Sequence, residues 1–432
     1  MKKFIEKKLN VYRSFLIIVF AHFISLVGSS MTRFALGVWA YQTTGQVMDF
    51  AGILVAGFLP GIILSPIVGV WIDRKGPAKM IMLGNLIGIA SLLMVKLFYV
   101  FGNLSVIHTL IASAGLSIVS TIQSPALTSI VPFLVPKDKL SRTNGFLSTA
   151  TSASDVLGPV LAGILMSFGD LNYILDTDIL SYCISIFTLC LLWSKLVIKK
   201  DEASENAVEK QSLLGEMKKG MAILFENKPL LNIVLLFTVL NFCLGINQVL
   251  GQPYILSMGT SREYGFLSSI FGIGMVLGGI IMSLKEVRSN LVKIVLASNF
   301  FIGVFIAMTG MVNQLIGIAF LWIVIGILLP VVNTTTLTLI QINTERQYLG
   351  RVFSIARMFA WISLPAAYVL GGFVADYLIK SDFTTFYLFG QGKSGIYGML
   401  LGFTGVLIIV TILFFSQVKS VYKLERNDEY AT

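Results

Sequence analysis

Charge is scarce in this chain. Asp, Glu, Lys and Arg make up 12% of its 432 residues, where soluble domains carry roughly 25%. Cysteine is nearly absent too. Cys183, Cys190 and Cys243 are an odd count without paired spacing, so neither a disulfide framework nor a metal site is expected. The two histidines, His22 and His108, stand alone in separate segments. The chain also lacks a phosphate-cradling P-loop and any nucleophile–base constellation, which argues against ATP-driven pumping and against an enzyme. No cofactor is expected. A membrane enzyme or a non-transporting sensor is kept as the alternative of a different class.

Apolar residues are abundant instead. They form 56% of the sequence, and the mean hydropathy is +0.84. Twelve charge-poor runs fall at 14–41, 47–71, 79–101, 105–131, 144–168, 171–194, 230–256, 263–284, 292–311, 315–341, 351–378 and 395–417. Each reaches the roughly 18 to 20 residues that a bilayer crossing needs. Backbone groups in lipid must bond within their own segment, so each run is expected to be a helix. The basic start (Lys2, Lys3, Lys7, Lys8, Arg13) resembles a signal peptide, but its apolar run continues to Tyr41 without a convincing cleavage site. It is read as the first span.

The net charge of +10 has a topological reading. With the N-terminus inside, Lys96, Arg262, Lys380 and Lys393 fall to the outer side, and Arg33 and Arg357 lie deep within spans. All other basic residues are cytoplasmic, which is the positive-inside asymmetry. It places both termini in the cytoplasm of a multi-pass cell-membrane protein and removes the case for nucleic acid as a partner. Loops are short except at 195–228, where Leu213, Leu214, Met217, Met221 and Leu224 recur at helical spacing. That segment reads as an amphipathic helix on the membrane face or a solvated linker helix. It divides the chain into a six-helix half over 1–194 and another over 229–432. Such a duplication is expected to place a small-molecule site near the midplane, at the interface of the halves. No obligate protein partner is evident, which leaves a monomer as the simplest state.

Between the second and third runs lies Gly69-x-x-x-Asp73-Arg74-x-Gly76-x-x-Lys79. Gly69 would let a neighbouring backbone approach, Gly76 would permit a tight turn, and Asp73 would suit a helix N-terminus. This stretch resembles the signature loop of the major facilitator superfamily, with Pro77 and Ala78 where the family usually has a basic residue. The resemblance implies the twelve-helix major facilitator fold and gives Gly69, Asp73, Arg74, Gly76 and Lys79 the role of a conformational latch. Under that geometry Asp73 faces the start of span eleven near Gly350 and Arg351. A degenerate echo, Gly279 to Arg288, occupies the equivalent place in the second half.

In span five, Ser154-Asp155-Val-Leu-Gly158-Pro159-Val-Leu-Ala162-Gly163 resembles the Gly-Pro motif of the superfamily's proton-coupled exporters. Pro159 frees a carbonyl and bends the helix. Gly158 and Gly163 permit close packing, for which Gly274, Gly278 and Gly279 are the expected matching face. Pro125-Ala126 through Leu140, and Leu349 to Phe353, resemble loops of the branch with macrolide-efflux proteins and the enterobactin exporter. The arginine frequent in that family's fourth helix has no counterpart here, since nothing basic lies between Leu104 and Pro136. The resemblance implies an antiporter that exports a bulky amphipathic compound such as a drug, macrolide, siderophore or secondary metabolite, with the proton gradient as energy source. A lipid or lysophospholipid transporter on the same scaffold is the alternative.

Ionisable groups at membrane depth are costly and usually mark a pathway. Asp155 lies near the midplane of span five with no evident partner. It is the expected proton carrier, with direct binding of a cationic substrate or a neutral structural role as alternatives. Arg33 and Asp49 flank the first hairpin at similar depth and are expected to pair. Arg357 can snorkel to the cytoplasmic face. Asp176 and Asp178 read as N-terminal residues of span six. Gln123, Asn241, Asn247, Gln248 and Asn333 are candidates to line the cavity, together with neighbouring Ser and Thr residues.

Overall fold

The computed structural model describes residues 2–134, 140–167, 170–191, 221–284, 290–344, 349–381, 383 and 387–424. Among these there is no strand, and the apolar runs are all helical. The helices are α1 (Lys2–Thr44), α2 (Val47–Ala56), α3 (Leu59–Lys75), α4 (Pro77–Val100), α5 (Val106–Leu134), α6 (Leu140–Ser167) and α7 (Leu171–Leu191). They continue with α8 (Lys228–Met258), α9 (Ser261–Leu284), α10 (Leu291–Met311), α11 (Leu315–Ile342), α12 (Leu349–Lys380) and α13 (Gly392–Gln417). The central part of the linker, including most of its expected amphipathic helix, lies outside the described residues.

The second run departs from a single helix. It breaks into α2 and α3 at Gly57 and Phe58. Pro60 explains the break, because it carries no N–H and its ring crowds the carbonyl four residues before it. Gly57 N–H bonds Ile53 O at 2.8 Å and Phe58 N–H bonds Val55 O at 3.1 Å, closing the first piece. The hydroxyl of Ser117 on α5 then accepts from Gly61 N–H at 3.1 Å. Counting α2 and α3 as one crossing, the helices match the twelve runs in order. Among the described residues, eleven candidate spans are long and apolar enough to cross a bilayer. In α6 the described apolar stretch is Ala153–Met166, and the side chains flanking it lie outside the described residues.

The chain forms two compact units, Met1–Glu202 with Ser261–Ser269, and Ala203–Thr260 with Ile270–Thr432. In the first unit, α1 packs on α6 and α7, and α5 on α3 and α4. Ile18, Val68, Ile72, Met80, Ile122, Leu127 and Leu189 share one core. In the second, α8 lies along α12 and α13, and α10 along α11 and α13. Its core extends to Val421 and Leu424 of a short 3-10 turn beyond α13. That turn is tied down by polar contacts: Asn232 donates to Ser420 Oγ at 2.6 Å and Asn343 Nδ2 to Leu424 O at 3.2 Å.

Glycine contacts differ from expectation. An added Cβ at Gly163 would meet Gly265 Cα and Ser261 O, each at 3.2 Å, and one at Gly265 would meet Pro159 O at 2.7 Å. Helix α6 therefore lies against the first turns of α9. Gly274 and Gly278, the expected matching face, instead press on the backbone of α11 at Ile323 and Ile327, and Gly279 faces open space. The cause is register: Gly265 lies more than two turns before Gly274 along α9.

Candidate functional site

The decisive polar feature of the first unit is where α1 meets α7. Helix α7 carries Asp178, Ser181, Tyr182 and Ser185 at the i, i+3, i+4, i+7 spacing of one helical face. Helix α1 presents Ser25, Ser29 and Thr32 to it. Thr32 Oγ1 donates to Asp178 Oδ2 at 2.6 Å, and Ser29 Oγ reaches Oδ1 at 3.4 Å. Ser181 Oγ lies 3.2 Å from the same Oδ1, and Ser29 Oγ shares a 2.7 Å hydrogen bond with the Tyr182 hydroxyl. Asp178 is 0% exposed. Gly28 makes room for it, because a Cβ there would sit 2.6 Å from Asp178 Oδ1. Asp178 is thus no helix-start residue: it stands two turns into α7 and fully inside the bundle. Asp176 does lie at the surface, paired with Lys96.

Arg33 follows Thr32 on α1 and is half-buried. Its guanidinium lies within electrostatic reach of both Asp178 and Asp155. The expected Arg33–Asp49 ion pair is not formed, because Arg33 shares the side of α1 that packs on α6 and α7. Asp49 instead sits half-buried in the first turn of α2. Asp155 is exposed on α6, where the charge of Arg33 reaches it. Gly158, one turn along α6, abuts Ser30 of α1 and lets the two helices close at this level.

The uncharged candidates are largely engaged within their own units. Gln123 is 3% exposed and donates to Asn85 Oδ1 at 2.7 Å, while Asn85 Nδ2 donates to Ser185 Oγ at 3.0 Å. This network stitches α5, α4 and α7 together rather than lining open space. Asn241 donates to Phe237 O at 2.9 Å, and Asn247 to Cys243 O and Thr404 Oγ1, both at 2.8 Å. Gln248 accepts from the Tyr368 hydroxyl at 2.7 Å and is otherwise exposed, as is Asn333. The side chain of Arg357 lies outside the described residues.

In the loop between α3 and α4, Gly76 takes φ 85° and caps α3 through a 2.9 Å bond to Ile72 O. That left-handed region is open to glycine at little cost. Arg74 and Lys79 are exposed, and Lys75 lies over the Trp71 ring at 5.5 Å. Among the described residues nothing comes within 4 Å of a Cβ built on Gly69, so no close backbone approach occurs there. The Asp73 and Arg351 side chains lie outside the described residues, as does that of Gly350.

Residues 18–367 match the Major Facilitator Superfamily. The chain belongs to this family. Macrolide efflux protein A of Streptococcus pyogenes is 28% identical over 365 residues, covering 82% of this chain and 87% of that protein. Macrolide efflux protein A of Enterococcus faecalis is 29% identical over 321 residues, covering 72% and 95%. Among solved structures, a bacterial homologue of the iron transporter ferroportin in an inward-facing state superposes with a TM-score of 0.70 at 15% identity, covering 94% of this chain and 99% of that one. At that identity the likeness speaks for the fold alone. The chain is therefore a multi-pass membrane transporter of the major facilitator fold. Its family and fold are those of transporters, not of enzymes.

Proposed function

We propose that this transporter exports bulky amphipathic small molecules of the macrolide kind from the cell, driven by proton entry. The observation that supports the coupling is Asp178, a carboxylate with no exposed surface that accepts from Thr32 and Ser29 across α1 and α7, with Arg33 half-buried beside Thr32. An acid whose charge is balanced by a fixed cation can gain and lose a proton at tolerable cost in a low-dielectric setting. The direction and the cargo class rest on kinship with the macrolide efflux proteins, which extends over most of both chains. The protein works in the cell membrane with both termini in the cytoplasm, by alternating access, as an antiporter without a cofactor. The loop from Gly69 to Lys79, with Asp73 and Arg74, controls the conformational cycle.

The test is accumulation of labelled erythromycin in a susceptible bacterial host expressing the chain. Expression should lower steady-state accumulation and raise the inhibitory concentration, and a protonophore should restore accumulation. Equal accumulation with and without the chain, across a panel of macrolides and other amphipathic drugs, would refute export of this class.

A further inference from the structure

In the second unit, two side-chain amides lie one turn apart on α8, and both keep donors unspent. Gln248 Oε1 accepts from the Tyr368 hydroxyl at 2.7 Å. The side chain is otherwise exposed, and its Nε2 makes no hydrogen bond among the described residues. Gln252 is 2% exposed, and its Nε2 is buried without a hydrogen-bond partner among the described residues. Four-residue spacing puts both amides on one side of the helix, with Cβ atoms roughly 5–6 Å apart. Pro253 adds an acceptor at this level. It lies inside α8 and has no N–H to give the carbonyl of Val249, four residues back.

The fold does not need these donors. Helix α8 closes on α12 through small and apolar groups, Gly245 against Ala367 and Leu364, and Gly371 against Val249 and Ile246. Other polar side chains of this stretch are spent on holding helices together. Asn247 donates to Cys243 O and Thr404 Oγ1, and the Tyr254 hydroxyl reaches Thr309 O and Val312 O. Gln252 Nε2 ties nothing to anything, and a buried amide without a partner costs stability, the more so in a membrane helix. A Met side chain of similar length would pack there without that cost. The unspent set is also uncharged, since α8 carries no Asp, Glu, Lys or Arg between Lys228 and Arg262. Amide donors beside a bare carbonyl suit neutral oxygens. Ester and ketone oxygens accept from the amides, and a hydroxyl both accepts from an amide and donates to the carbonyl.

We propose that Gln248 and Gln252 form a hydrogen-bonding site on α8 for the ester, ketone and hydroxyl oxygens of the cargo. Gln248 meets the cargo first, because its amide is already exposed. Tyr368 is its positioning residue: by occupying Oε1 it turns the Nε2 donors outward. Gln252 takes a second oxygen one turn further along, and Val249 O receives the proton of a bound hydroxyl. The site selects oxygen-rich neutral surface, which a macrolide ring carries in its lactone, ketone and hydroxyl groups. This deepens the export reading above and rests on it for the identity of the cargo.

The test measures equilibrium binding of labelled erythromycin and thermal unfolding on the same purified full-length protein in lipid. Gln248→Met and Gln252→Met keep the side-chain length and remove the donors. Each should raise the Kd roughly three- to tenfold, the worth of one neutral hydrogen bond. Without cargo, Gln252→Met should melt at or above the wild-type temperature, because it removes an unpaired buried amide. A lower melting temperature with unchanged binding would mean that a buried water satisfies Gln252, and would overturn the proposal. Tyr368→Phe should weaken binding in the wild type and add nothing in the Gln248→Met background. Additive losses would overturn its positioning role. Wild-type binding that both Met variants leave unchanged would count against this site alone. A wild type that binds no erythromycin would overturn the macrolide reading, and the cargo named here with it.

Discussion

Thr32 Oγ1 donates to Asp178 Oδ2 at 2.6 Å, joining the first and sixth membrane crossings at a carboxylate with no exposed surface. Thr32→Val keeps the shape and removes the donor. It should lower thermal stability in detergent or lipid by about 1 kcal/mol, the typical net value of one such bond. Thr32→Ser should behave like the wild type. Equal melting of the Val and wild-type chains would mean that the bond does not hold α1 to α7.

Gly28 and Gly158 clear the space for the same cluster from neighbouring turns. A Cβ at Gly28 would collide with Asp178 Oδ1, and one at Gly158 with Ser30. Overpacking of this kind costs roughly 1–3 kcal/mol, so Gly28→Val and Gly158→Val should each destabilise the first unit. Gly69→Val, with open space around its Cβ, should be indistinguishable from wild type in melting temperature. The ranking can be read from one set of unfolding curves.

What the sequence made legible follows from the length scale of each signal. Span positions and the helical class come from runs of about twenty residues, and helical structure followed along almost all of each run. The break at Gly57 and Phe58 does not show in a hydropathy run, which averages over a single residue such as Pro60. The Arg33–Asp49 expectation used depth alone, and depth says nothing about which side of α1 Arg33 occupies. Asp178 lies near the start of its apolar run, a position that by itself suggests a helix-start residue. Its real signal was the polar stripe Asp178, Ser181, Tyr182, Ser185 set against Ser25, Ser29 and Thr32. That periodicity is visible in the sequence, but the pairing of its two halves needs the packing of α1 on α7.

Asp170 offers a pH test outside the membrane helices. It precedes α7 and accepts from Asn172 N–H at 3.1 Å and from Asn172 Nδ2 at 3.0 Å. Partial burial pushes its carboxyl up, but hydrogen bonds from Asn172, Tyr99 and Leu171 outweigh it and hold the group below the usual carboxylate range. A depressed folded-state value means stability that is present above the unfolded value, about 3.9, and lost as pH falls through the folded one. Asp170→Ala should therefore lower the melting temperature at neutral pH. The difference from wild type should shrink in acid below that range, and a difference independent of pH would remove the assignment.

Coupling of drug movement to protons is tested most directly in reconstituted vesicles without ATP. With a pH gradient imposed, labelled erythromycin should move against its own gradient as protons move the opposite way. Collapsing the gradient with a protonophore should stop it, as should Asp178→Asn. Uphill movement that continues with the gradient collapsed, or movement that requires added ATP, would contradict the account.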